Sequence, residues 1–98
     1  MEIQLRGWVE KELDKMLRTD YISRILLDVC RKLPTGSVED FCFGFIVGHI
    51  NAGSQGQAIF YHKREMTREE WDEVMNIIER RTMEIKGRLK YVLGRYEP

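Results

Sequence analysis

Apolar residues recur at intervals of three and four along most of the chain, which is the spacing of amphipathic α-helices. The pattern predicts a first helix over residues 5–17 and a second over residues 22–33. Thr19 and Asp20 are side-chain types that favour a helix start, and Pro34 predicts the end of the second helix. The first third of the chain is therefore predicted to form two helices, or one helix that continues through a kink.

A third helix is predicted over residues 38–51, because Ser37 followed by Asp40 resembles a capping box ahead of an apolar run. Its apolar residues cover most of the helix circumference, which predicts a central and largely buried position. These residues are Phe41, Cys42, Phe43, Phe45, Ile46, Val47 and Ile50. Only a strip near Asp40 and Asn51 is expected to face water.

Small residues also follow one line along this third helix. Gly44, Gly48 and Ala52 lie four positions apart, and such a stripe lets another backbone come close. Gly53 is a residue type that ends helices, and Ser54 with Gln57 could then cap a short fourth helix. That helix would carry Ala58, Ile59, Phe60 and Tyr61.

A β-hairpin is the alternative for residues 41–62. Phe41, Phe43, Phe45 and Val47 alternate with a period of two, and residues 58–62 would supply the partner strand. The capping pattern before residue 41 favours the helix. The predicted class is all-α, with four or five helices around a central apolar helix, and the alternative class is α+β.

The last third of the chain predicts one long helix over residues 68–93. Thr67 and Glu70 form a capping box, acidic residues follow in the first turns, and basic residues crowd the end, as the helix dipole favours. Apolar residues repeat in heptads along it. This seam consists of Trp71, Met75, Ile78, Thr82, Ile85, Leu89, Val92 and Tyr96.

The length of this helix predicts a homodimer. At 1.5 Å per residue it would span about 39 Å, whereas a spherical domain of this size is roughly 33 Å across. The overhanging part of the seam would need a cover, and a second copy of the chain is the simplest one. The predicted interface residues are Trp71, Met75, Ile78, Ile85, Leu89 and Val92. Two alternatives remain: the seam packs on its own chain, or Gly87 breaks the helix.

Length and charge limit the possible functions. The 98 residues fit a single helical domain, 1–98. Sixteen basic and sixteen acidic side chains cancel, which excludes the overall positive field of a protein that coats nucleic acid. Any nucleic-acid contact would be local, at the basic end of the last helix. The candidate residues are Arg80, Arg81, Lys86, Arg88 and Lys90.

The chain carries no pattern of a secretory signal and no apolar run near the roughly 20 residues that span a bilayer, so we expect a cytoplasmic protein. Cys30 and Cys42 are then expected to be reduced thiols on apolar helix faces.

No catalytic, cofactor or metal site is predicted. Cys30, Cys42, His49 and His62 lack the close ligand pairs of zinc sites, and two helical turns separate Cys42 from His49. The expected function is a helical protein–protein interaction or regulatory module, homodimeric through its last helix. The alternative is a small nucleic-acid-binding regulator, and an enzyme is not expected.

Overall fold

The computed structural model describes residues 3–33 and 36–96, except for the side chains of residues 3, 4, 30, 31 and 96. These residues form five helices and no strand, which confirms the all-α prediction and shows that the hairpin alternative was wrong. The helices are α1 (Ile3–Met16), α2 (residues 19–32), α3 (Val38–His62), α4 (Arg68–Arg80) and α5 (Thr82–Tyr96). Pro34, where a turn was predicted, lies outside the described residues, and so does the side chain of Cys30, which was predicted to be a reduced thiol.

The first two helices follow the predicted pattern. Val9, Leu13 and Met16 of α1 are completely buried in the hydrophobic core. Helix α2 contains a π-helical turn over Ile22–Leu26, and both end residues of that turn are buried. No side chain caps the start of α2, so the expected capping role of Thr19 and Asp20 was wrong.

Helix α3 begins as predicted but is longer than predicted. The Ser37 hydroxyl accepts a hydrogen bond from the Asp40 backbone N–H at 3.2 Å. The helix then continues through Gly53 to His62 and ends at Lys63, which adopts the left-handed conformation with φ 58°. The predicted helix end at Gly53, and the separate short helix after it, were wrong.

The structural role of Gly53 explains this error. The indole ring of Trp8 lies directly over it, and a Cβ atom at Gly53 would lie 2.9 Å from Cζ2 of that ring. The missing side chain therefore allows α1 to approach α3 closely, rather than ending the helix.

The predicted long C-terminal helix is divided in two at Arg81, whose φ and ψ of −99° and 6° are not helical. The Thr82 hydroxyl donates to the Ile78 carbonyl at 3.0 Å, a type of bond that bends helices. The prediction of one continuous helix over residues 68–93 was therefore wrong, and so was the alternative break at Gly87, which lies within α5.

The shape of the molecule removes the argument for an overhanging helix. The principal-axis extents are 45 × 24 × 21 Å, so the body is elongated rather than spherical. A helical segment of about 39 Å would fit within the long axis. The premise that the last helix outreaches its own domain was wrong.

A nearly buried carboxylate holds the start of α4. Glu70 is 5% exposed, and its carboxylate accepts hydrogen bonds from Arg64 Nη1 at 2.7 Å and from the Thr67 backbone N–H at 2.9 Å. The Thr67 hydroxyl accepts the Glu70 backbone N–H, which completes the predicted capping box. The bonds from Arg64 and then from Thr67 lower the pKa of Glu70 to about 2.

Replacing Glu70 with glutamine is expected to flatten the acid dependence of stability. The folded pKa lies below the ordinary value of 4.5, so the carboxylate stabilises the fold above that pH and less so as the pH falls towards 2. Because Arg64 is partly exposed, we expect a loss of roughly 2 kcal/mol at pH 7. Urea unfolding of wild type and Glu70→Gln between pH 2 and pH 7 measures this difference.

The control is Glu69→Gln, which removes a carboxylate from an exposed position in the same turn. An equal change in the pH profile of the two variants would contradict the assignment to Glu70.

Candidate interaction surface

Most of the six residues predicted to form a dimer interface lie inside the chain. Ile85, Leu89 and Val92 are completely buried and Ile78 is nearly so, within one core shared by all five helices. Trp71 is half-buried against this core, and Met75 is exposed. The chain's own residues therefore cover most of the seam. Dimerisation through the seam stays a prediction, but the overhanging, uncovered helix end on which it was based is not present in the described structure.

The predicted basic patch loses one member, because Arg81 is held within the fold. Its guanidinium is 17% exposed and forms ion pairs with Asp14 at 2.7 Å, Glu84 at 2.8 Å and Glu10 at 3.2 Å. The bonds to Glu84 and then Asp14 raise the pKa of Arg81 further above its ordinary value. This cluster ties α1 to the break between α4 and α5.

The other four residues of the patch are exposed. Arg80 ends α4, whereas Lys86, Arg88 and Lys90 lie on α5. The Lys86 ammonium lies 5.2 Å from the centroid of the Phe43 ring, so part of its charge already faces the protein. Nucleic-acid binding at this patch stays a prediction.

The thiol and imidazole groups of α3 take structural positions. Cys42 is completely buried, and His49 Nε2 lies 3.2 Å from Glu12 Oε1 on α1. Among the described residues, no three His, Cys, Asp or Glu side chains are grouped closely enough to hold a metal ion.

The outward side of α3 is open to a partner. Its buried line consists of Cys42, Ile46, Ile50, Ser54 and Ala58. Two positions before each of these residues, on the opposite side of the helix, the chain is exposed. We call this exposed line, continued by one turn to Phe60, the α3 face, and it consists of Asp40, Gly44, Gly48, Ala52, Gly56 and Phe60. Because residues four apart on a helix are turned by about 40°, the line winds about 200° around α3 from its first residue to its last.

The middle of the α3 face is flat and open. Gly44, Gly48 and Gly56 have no neighbouring group within 4 Å of the position that a Cβ atom would take. The stripe predicted from Gly44, Gly48 and Ala52 is therefore exposed, and Gly56 extends it by one turn. A backbone placed over this line can approach more closely than over ordinary side chains.

Larger side chains border this line on both sides, as helical spacing requires. One ridge consists of Val47, Asn51, Gln55 and Ile59, and the other contains Phe41, Phe45, His49 and Gln57. Ile59 is 48% exposed and Phe60 is 67% exposed, so the C-terminal end of the α3 face is markedly apolar.

Charge is absent from the length of this face and present at its ends. Residues 41–62 contain no Asp, Glu, Lys or Arg, although a third of the chain is charged. Glu39 and Asp40 precede this segment, and Lys63 and Arg64 follow it. Within the described part of the chain, Asp40 and Lys63 form no ion pair.

The Lys63 ammonium remains close to the apolar end of the α3 face. It donates to the Phe60 carbonyl at 3.0 Å and lies 5.5 Å from the centroid of the Phe60 ring. The Arg64 guanidinium is directed to Glu70 instead. Lys63 is therefore the cation that borders the face at its C-terminal end.

Sequence reasoning found the small-residue stripe but missed its exposure and its full length. The four-residue spacing continues from Ala52 to Gly56 and Phe60, and this continuity across Gly53 was the available signal.

No protein-family model, curated protein or solved structure matches this chain. Among the described residues, no helix combines the length and the hydropathy needed to cross a bilayer.

Proposed function

We propose that the chain is a helical protein–protein interaction module that binds a partner helix across the middle of the α3 face, over Gly48 and Ala52. The observation that supports this most directly is an exposed helix side without any charge over residues 41–62, in a chain with 33% charged residues. Charged residues are depleted in the core of protein interfaces, and aromatic residues are enriched there.

The shape of the α3 face supports a helix as the bound element. Small residues at the centre let two helices approach closely, and the bordering ridges offer side chains that pack into the grooves of a second helix. The apolar side chains of Phe41 and Ile59, which point to the same side of α3 as Gly48, would then be withdrawn from water on binding.

This proposal moves the contact surface away from the seam of α4 and α5. Ile78, Ile85, Leu89 and Val92 would have to leave the core before they could meet a partner. The α3 face needs no such rearrangement because its residues are already exposed. The proposal includes no catalytic step and no cofactor, and a regulatory role would follow from the identity of the partner.

The test compares two glutamate substitutions at exposed helix glycines. Gly48 lies at the centre of the α3 face, and Gly87 lies on α5; both have open space above them. Glutamate is a better helix former than glycine by about 0.5–1 kcal/mol, so neither change should unfold the chain. Gly48→Glu is expected to weaken binding at least tenfold, and Gly87→Glu is expected to leave it unchanged.

The measurement is capture of partners from an extract of the source cells by tagged wild type and both variants. Each captured protein is then purified and titrated against the same three chains. A directly binding partner that only Gly48→Glu loses would support the proposal. Partners that bind all three chains equally, or no direct partner at all, would contradict it.

A further inference from the structure

A hollow lies between the first turns of α1 and the last turns of α3. It has a volume of about 510 Å³, and small-molecule sites typically have roughly 300–1,000 Å³. Residues of both helices line it, and we call it the α1–α3 hollow. Its apolar lining consists of Leu5, Gly7, Trp8 and Tyr61, and its polar lining consists of Lys11, Gln57 and His62.

The α1–α3 hollow is separate from the middle of the α3 face. Gln57 lies nine residues after Gly48, which is two and a half helical turns, so the two residues point to opposite sides of α3. A ligand in the hollow and a partner helix over Gly48 would occupy different surfaces. Binding in the hollow therefore goes beyond the proposed function and does not depend on it.

Two aromatic rings and a buried leucine give the hollow its apolar surface. The six-membered ring of Trp8 lies on the backbone of α3 at Gly53, which holds the indole in place. Leu5 is 3% exposed, whereas Tyr61 is 60% exposed and accessible to a ligand. Gly7 has no neighbouring group within 4 Å of its Cβ position, so the space beside it is open. Aromatic rings pack on one another in offset or edge-to-face contacts, so this lining favours a flat aromatic ligand.

The polar groups of the hollow have no partner of their own. Within the described part of the chain, the side chains of Lys11, Gln57 and His62 make no hydrogen bond and no ion pair. All three side chains supply N–H donors, and lysine is a cation. No carboxylate of a described residue lines the hollow. The lining therefore favours an anion that accepts several hydrogen bonds.

The amount of charge selects a carboxylate. Lys11 is the only lysine or arginine among the described residues of the lining, so the hollow balances one negative charge. A phosphate monoester carries about 1.5 to 2 negative charges at pH 7, whereas a carboxylate carries one on two accepting oxygens. We infer that the α1–α3 hollow binds a small aromatic carboxylate, with the ring against Trp8 and the carboxylate facing Lys11 and Gln57.

A larger hollow between α1 and α4 lacks this match. It has a volume of about 870 Å³, and its lining includes side chains of both charges. Among them, Arg6 and Glu73 pair with each other at 3.3 Å. An ion bound there would lie close to a charge of its own sign.

The test uses benzoate and two matched compounds, with the ionic strength held constant. Benzamide keeps the aromatic ring without the charge, and cyclohexanecarboxylate keeps the charge without the aromatic ring. We expect benzoate to bind the purified full chain with a dissociation constant on the order of 1 mM, which is reasonable for nine non-hydrogen atoms. Each matched compound should bind about fivefold more weakly or worse. Equal binding of either matched compound would contradict the inferred ligand class.

Nuclear magnetic resonance measures the binding and locates it. The chain has two tryptophans, so the ¹H–¹⁵N spectrum contains two indole N–H signals. Trp8 lines the hollow, whereas Trp71 lies on α4 and is not part of the lining. Benzoate should shift the Trp8 signal to saturation and leave the Trp71 signal in place. A saturating shift of Trp71 alone, or no saturation at about 20 mM, twentyfold above the expected constant, would overturn the inference.

Two pairs of variants test the lining residues. Lys11→Gln removes the charge in the hollow, and Lys15→Gln removes the same charge one turn further along α1, outside the lining. Gly7→Leu fills the space beside Trp8, and Gly87→Leu makes the same change at an open position of α5. Lys11→Gln and Gly7→Leu should each weaken benzoate binding about tenfold, and the two controls should leave it unchanged.

Circular dichroism of each variant checks the fold, which both leucine substitutions should retain because leucine is a better helix former than glycine. Folded Lys11→Gln and Gly7→Leu chains that bind benzoate as tightly as their controls would contradict the assignment to the α1–α3 hollow. Absence of benzoate binding, together with a protein partner that only Gly48→Glu loses, would overturn this inference and leave the interaction module standing.

Discussion

Replacing Leu89 with glutamate is expected to unfold the chain. Leu89 is completely buried in the core. Truncating such a leucine to alanine already costs about 2–5 kcal/mol, and an ionised carboxylate in an apolar site adds several more. A domain of this size is stable by about 5–15 kcal/mol in total, so we expect most molecules to lose their helical structure. Far-UV circular dichroism and urea unfolding measure the effect.

The matched control lies on the same helix. Met83 is 84% exposed, and Met83→Glu should keep the wild-type unfolding midpoint. The Leu89 variant also discriminates between the two views of the seam. A folded Leu89→Glu chain that had only changed from dimer to monomer would contradict the buried position and support the seam as an interface.

Replacing Arg81 with glutamate is expected to destabilise the fold by about 2–4 kcal/mol. The change removes three ion pairs and gathers four carboxylates at one point, namely the new side chain with Glu10, Asp14 and Glu84. The estimate is below that for a fully buried pair, because the three acidic partners are partly exposed. Thermal unfolding at low and high salt measures the loss and its screening.

The neighbouring arginine supplies the control. Arg80 is exposed, so Arg80→Glu should change stability by no more than about 0.5 kcal/mol. Partial recovery of Arg81→Glu at high salt is expected, since screening weakens the repulsion among the acids. Equal effects of the two substitutions would contradict the structural role of Arg81.

The elements predicted correctly from sequence depend on neighbours that lie close in the chain. Thr67 and Glu70 predict the start of α4 because a capping box is local, and the spacing of Val9, Leu13 and Met16 places α1 in the core. The break at Arg81 is different. It accompanies contacts with Glu10 and Asp14, which are about seventy residues away in the sequence and adjacent only in the fold.

The same distinction applies to α3. Gly53 was expected to end the helix because glycine does so in isolation, whereas in the fold it accommodates Trp8 from α1. The exposed side of the helix was hard to predict because it carries glycine, alanine and phenylalanine in place of charges. An amphipathic pattern identifies a water-facing side of a helix by its polar residues. The sequence pattern therefore predicted that this side of α3 is buried.

The exposed glycines of α3 also have a cost in stability. In the interior of a helix, each glycine lowers stability by about 0.8–1.0 kcal/mol relative to alanine, so Gly44, Gly48 and Gly56 together lower it by about 3 kcal/mol. No part of the described chain occupies the space above them, so the fold itself would accept methyl groups there. Selection for thermal stability alone would favour alanine at all three. Such a cost in stability fits the trade-off between stability and activity that is expected where a surface must admit something beyond its own chain.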